Sequence, residues 1–202
     1  MEQDPFLGRA ERLGAMREVP CKGNWLAARR RYVEAAYGPA GIADVSARLD
    51  AELLEAFLRP PLAMAWTDLA TVVGVDRAIF EGPMARDLSR MRHFGAEIAK
   101  GDIPTLYRAF FRLGTPSFVM KKLPVVYRQY FRRGGLVVET SAGSVEITLA
   151  DLTMPVYLCA YGITGWFDAM LELVGARAAQ VEHRACVHRG DAACVWRGAW
   201  RT

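Results

Sequence analysis

Along this chain the spacing of apolar residues changes from three and four to two. From Asn24 to Phe131 they recur at helical spacing; from Leu136 to Leu149, and again from Ala178 to Trp200, they alternate singly, as strands do. A helix is predicted over 24–37, capped by Asn24 and stopped by Gly38-Pro39. Short helices follow over 40–48 and 51–58, until Pro60-Pro61 forces extended chain. The next runs from a cap at Thr67 or Asp68 to Phe80, and another from 84 to 99 with Pro83 at its first position. Gly101-Asp102 ends that element and caps a helix over 103–113. Beyond Gly114-Thr115-Pro116 an aromatic-faced helix is interrupted at Pro124 and ends at Gly134-Gly135.

Two hairpins enclose the last helix. Leu136, Val138 and Thr140 alternate against Val137, Glu139 and Ser141, and Val145, Ile147 and Leu149 alternate against Glu146 and Thr148, with Ala142-Gly143-Ser144 between them. Pro155 opens a long helix to Val174 with Cys159, Ile163, Phe167 and Met170 on one stripe. Strands over 178–187 and 192–200 then turn at Arg189-Gly190-Asp191, where glycine supplies a positive φ. The order hairpin, helix, hairpin predicts an α+β fold, a helix-rich N-terminal two-thirds packed with a four-stranded antiparallel sheet. Residues 1–20, mixed in charge and rich in turn formers, read as a flexible lead-in, and 21–202 as a single α+β domain.

Composition changes this picture little. With 52% apolar and 24% charged residues among 202, the chain is an ordinary globular one. Lys and Arg number 26 against 22 Asp and Glu, a net charge of +4. The basic doublets and triplets, such as Arg29-Arg30-Arg31, sit on helices as solvated faces, so nucleic acid is not expected. Four cysteines at irregular spacing make no secreted disulfide framework, no basic-then-apolar leader opens the chain, and no apolar run reaches the ~18 residues of a membrane span. A cytoplasmic protein is expected.

Candidate chemistry gathers in VEHRACVHRGDAACVWRGAW, from Val181 to Trp200. Cys186 and Cys194, seven residues apart across the turn, are expected side by side on one sheet face. His183, three residues before Cys186, points to the opposite face of a regular strand unless a bulge intervenes. Such a thiol pair is core packing, a redox pair or half of a metal site. Packing is the reading preferred, since no second tight pair supplies four ligands. Cys194, Trp196 and Trp200 share parity, so the small thiols are expected beside large indoles under the long helix.

The stretches RRRYVEAAYG, AEIAKGDIPTLYRAFFRLGTPSFVMKKLP, YRQYFRRGG and the closing motif resemble an uncharacterised paralogous family abundant in myxobacteria. More distantly that family is similar to a ligand-binding superfamily containing haem-based nitric-oxide sensors, 4-vinyl-reductase-like domains, aromatic-sensing regulator domains and TRAPP subunits. The resemblance implies helices on a four-stranded antiparallel sheet and binding of small apolar molecules or partner proteins without chemistry. Haem-binding members carry a histidine followed by Tyr-x-Ser-x-Arg, absent here, so no haem and no other cofactor is expected. Aromatic-sensing members hold zinc with a third cysteine and an acidic residue besides a C-x7-C pair. Here His183 stands three before Cys186, and the offset of Cys159 from Pro155 does not match, so no metal is assigned.

No nucleophile elbow, phosphate loop, zinc-protease helix or dinucleotide fingerprint occurs, and an enzyme is not expected. The expectation is a sensor or ligand-binding domain with an apolar pocket lined by Tyr107, Phe110, Phe111, Phe118, Tyr127, Trp166 and Phe167. The alternative is an interaction module that dimerises or holds a signalling partner; a dimer is expected.

Overall fold

A computed structural model of the protein describes residues 17–102 and 114–201. Helices come first, strands last, and the four-stranded sheet is antiparallel, an α+β fold. A short strand β1 (Pro20–Lys22) pairs with β2 (Trp66–Asp68), a small sheet that periodicity does not announce. Between them lie α1 (Asn24–Ser46) and α2 (Ala51–Leu58). Gly23, not Asn24, occupies the cap of α1. Gly38-Pro39 kinks α1 rather than ending it, because Gly38 takes a φ of 62° and the chain re-enters the helix beyond it. Asp50 caps α2 through a 2.9 Å bond from the Leu53 amide.

The helical layer continues with α3 (Leu69–Glu81) and α4 (Leu88–Asp102). The expected helix start at Pro83 is displaced to Leu88, since Ala85 and Arg86 turn with positive φ and Asp87 caps instead, accepting from Ser89. Then come α5 (Pro116–Met120), capped by Thr115, and α6 (Leu123–Tyr130). One ion pair ties the layer together: Arg29 of α1 forks onto both oxygens of Asp76 of α3 at 2.9 and 3.0 Å, with both side chains buried.

The sheet follows the predicted hairpins. Strand β3 (Gly135–Ser141) pairs with β4 (Ser144–Ala150), β5 (Arg177–Ala185) pairs with β6 (Cys194–Arg201), and β4 joins β6, giving the order β3-β4-β6-β5. Val145, Ile147 and Leu149 of β4 and Cys194 and Trp196 of β6 face inward and are buried. Against them lies the last helix, whose first part, Tyr157–Gly162, is wound as a π-helix before α7 (Ile163–Leu173). It crosses α4 at backbone contact: a Cβ on Gly95 would stand 1.8 Å from the Gly162 carbonyl oxygen, and one on Gly165 as close to that of Arg92. Arg92 also pairs with Asp168 of α7 at 2.7 Å and donates to the Val181 carbonyl of β5. Among the described residues no helix is long and apolar enough to cross a membrane.

Candidate functional site

Two features meet beneath the sheet. The first is an apolar cavity of about 140 Å³ between β3, β4 and β6, α7, and the α5–α6 corner. Leu136, Leu149 and Trp196 form its sheet wall, Ile163, Trp166, Phe167 and Met170 its α7 wall, and Leu123, Val126, Tyr127 and Tyr130 close it from α6. Trp25 and Phe131 meet edge to face at 5.1 Å along its rim. Of the residues expected to line a pocket, Tyr127, Trp166 and Phe167 do so. Phe118 does not: it lies 46% exposed, with the Lys122 ammonium 5.3 Å from its ring, because α5 is a single short turn that aims it outward. Tyr107, Phe110 and Phe111 fall outside the described residues.

The second feature is a cluster of Cys159, His183, Cys186 and Cys194, whose ligand atoms all lie within 4.8 Å of one another. Three local structures assemble it. In the hairpin the pairing shifts by one residue between His183↔Trp196 and Ala185↔Val195, a bulge at Arg184. That extra residue turns His183 to the face of Cys186, so the expectation that it points away fails for the reason a bulge supplies. Continuation of the shifted register sets Cys186 against Cys194, and their sulfurs lie 3.9 Å apart.

The tight end of the hairpin holds this register. Gly190 takes a φ of 92°, and the Asp191 carboxylate accepts the Cys186 amide at 2.6 Å. The third local structure is the π-helix, which carries Cys159 to 2.9 Å from the Cys194 sulfur and 3.7 Å from His183 Nε2. The Cys159 amide bonds the Pro155 carbonyl at 2.9 Å, so Cys159 sits one turn after that proline in the first part of the π-helix, and it joins the cluster although its offset does not match the aromatic-sensing pattern. π-Turns of this kind recur at functional sites.

The electrostatics of the cluster favour the thiolate at one sulfur, Cys194, and the neutral thiol at the other two. The Cys159 thiol hydrogen-bonds to Cys194 and holds it down to about 4, with help from His183 and the Val187 amide, against burial. The same bond, together with burial, pushes Cys159 up. Burial raises Cys186, and the His188 amide pulls the other way. Tetrahedral zinc with Zn–S near 2.3 Å and Zn–N near 2.0 Å implies S···S of about 3.8 Å and S···N of about 3.6 Å. The 3.9 and 3.7 Å separations fall close to these, whereas Cys159 and Cys194, 2.9 Å apart, have to part by about 0.9 Å to take an ion between them.

No protein-family profile matches the chain, and no curated protein matches it. Solved structures do. An H-NOX protein from S. oneidensis in the Fe(II)NO ligation state aligns with a TM-score of 0.67 at 10% identity, over 90% of this chain and 99% of that one. The Fe(II) unliganded H-NOX protein from K. algicida gives 0.65 at 10% identity, over 90% and 97%. An oxygen-binding H-NOX domain related to soluble guanylate cyclases gives 0.63 at 12%, over 90% and 95%. At such identities the likeness is one of fold.

Haem does not fit the residues present. The chain has three histidines, and none lines the cavity. His183 belongs to the thiol cluster, His188 Nε2 bonds the Met154 carbonyl at 2.6 Å, and His93 lies in a shallow groove with Tyr37, Ser89 and Arg90. No cysteine lines the cavity either, and its volume is well below the ~300–1,000 Å³ of pockets for drug-sized ligands and cofactors.

Proposed function

We propose that the protein is a non-enzymatic sensor domain that binds one small hydrophobic molecule in the cavity under its sheet and holds a zinc ion at the neighbouring Cys159, His183, Cys186 and Cys194. The observation that carries the ligand reading is the cavity itself, about 140 Å³ with almost wholly apolar walls. An apolar cavity of ~150 Å³ stays dry and takes up a molecule the size of benzene. The expected ligand class is therefore a single-ring or comparably small hydrocarbon-like compound. The likeness of fold to H-NOX domains supports a sensing role, whereas the chain's own residues support an organic ligand in place of haem.

Zinc suits three thiolates and one imidazole in a closed tetrahedron, the composition of a structural rather than a catalytic site. Four protein ligands leave no position for water, so the centre would hold the hairpin to the helix and activate nothing. A thermal-shift screen of small aromatic and aliphatic compounds on the purified chain tests the ligand reading. Binding of one compound per chain that raises Tm supports it, and no response to any compound small enough for the cavity would count against it.

A further inference from the structure

The cysteine–histidine cluster and the cavity meet at Trp196, which lines the cavity on one side and carries His183 on the other. The Nε2 of His183 lies among the sulfurs, while its ring stacks on Trp196 at 4.8 Å between centroids and 20° between planes. Trp196 is fully buried and lines the cavity. From its other edge Trp196 Nε1 donates to Thr164 Oγ1 at 3.1 Å, and Thr164 donates to the carbonyl of Ala160, the residue after Cys159, at 2.8 Å. Phe167, also a lining residue, packs on the same indole at 5.4 Å. A closed circuit thus runs from Cys159 through the π-helix and Thr164 to Trp196 and back through His183 to the sulfurs.

We infer that metal occupancy sets the ligand affinity of the cavity, with His183 as the positioning residue that transmits it; this rests on the binding reading above. Coordination fixes the imidazole at Nε2 and hence its plane, and the plane fixes the stacked indole that forms the cavity wall. Ligation of Cys159 fixes the π-turn that leads into α7, from which Ile163, Trp166 and Phe167 project. Without the ion both the imidazole and the turn gain freedom, and the cavity loses its shape before a ligand arrives. Rigidity supplied by one ligand lowers the ordering cost of the other, so the two bind cooperatively. A glutamate at position 183 can offer the metal a carboxylate oxygen but has no ring to stack, so the coupling is specific to histidine.

The test uses the full chain loaded with cobalt, whose visible bands report the ligand field, titrated with toluene in a calorimeter. The wild type is expected to bind toluene, to shift its cobalt bands on binding, and to lose about tenfold in toluene affinity on metal removal, within the usual range of coupling between sites. His183→Glu, whose carboxylate reaches about as far as the imidazole Nε2, keeps four metal ligands without a ring. In that variant one cobalt per chain should remain, with toluene affinity about tenfold weaker and cobalt bands insensitive to toluene. Full cobalt loading with unchanged toluene affinity and band response in His183→Glu would overturn the inference and leave the cavity reading intact, and so would loss of cobalt from His183→Glu without loss of toluene affinity. A wild type that binds cobalt but no toluene, benzene or other single-ring compound would overturn both.

Discussion

The substitution Gly95→Ala places the largest strain on the feature that builds the site. A Cβ there would sit 1.8 Å from the Gly162 carbonyl oxygen, 2.7 Å from its carbon and 3.1 Å from its Cα, all backbone of the π-helix end. Since Cβ atoms essentially never approach closer than 3.0 Å, α4 and the π-turn must part by about the missing 1.2 Å. No flexible side chain can yield in their place. Overpacking of a well-filled contact costs about 1–3 kcal/mol, and a clash with backbone belongs at the upper end, about 3 kcal/mol. At about 2–4 °C per kcal/mol for a domain of this size, Tm falls by about 6–12 °C. Parting the helices also moves Cys159 relative to Cys194, so zinc retention should fall with stability. Gly101→Ala on the same helix is the control: among the described residues nothing lies within 4 Å of its Cβ and its φ is ordinary, so it should gain about 0.4–1 kcal/mol. Thermal and urea unfolding of both variants decides the matter. A Gly95→Ala protein as stable as wild type, with full zinc, would refute the close crossing of α4 and the π-turn.

Other substitutions read other parts of the structure. Asp76→Ala strands the Arg29 guanidinium in the core and is expected to cost about 3–5 kcal/mol by urea denaturation, whereas replacing both residues with apolar ones should recover much of the loss. A Cβ at Gly190 has no described residue within 4 Å, but Gly190→Val must hold a φ of 92°, so backbone strain should cost about 1–2 kcal/mol and loosen the Cys186 end of the hairpin. The Ser89 hydroxyl and amide hold the Asp87 carboxyl below its ordinary value. A depressed acid contributes stability above its unfolded pKa and loses it as pH falls through the folded one. The acid limb of a pH–stability curve should therefore flatten in Asp87→Ala, and an unchanged limb would count against the cap.

Most helices among the described residues, the two hairpins and the buried stripe of the last helix were legible because each rests on period and on turn residues that act locally; the helix expected over 103–113 lies outside the described residues. The site was legible only in part. Cys186 and Cys194 are adjacent in one hairpin, so their spacing is enough to bring them together. His183 joins them through a one-residue bulge that no hydrophobic period marks, and Cys159 comes from a separate element, the π-turn before α7, whose distance from the hairpin no local spacing fixes. Strand β1 escaped notice because three residues are too few to show alternation, and its partner Trp66–Asp68 resembles a helix cap. Phe118 looked like pocket because its neighbours Leu123 and Tyr127 are; the corner between α5 and α6 breaks the face they share.

Native mass spectrometry of the chain as purified, without denaturant, bears most directly on the reading as a zinc-held binding domain. One zinc per chain should be present, and adding toluene should give a second mass increment on the zinc-bound species in preference to the zinc-free one. A chain that flies metal-free and takes up no small hydrophobic molecule would contradict it.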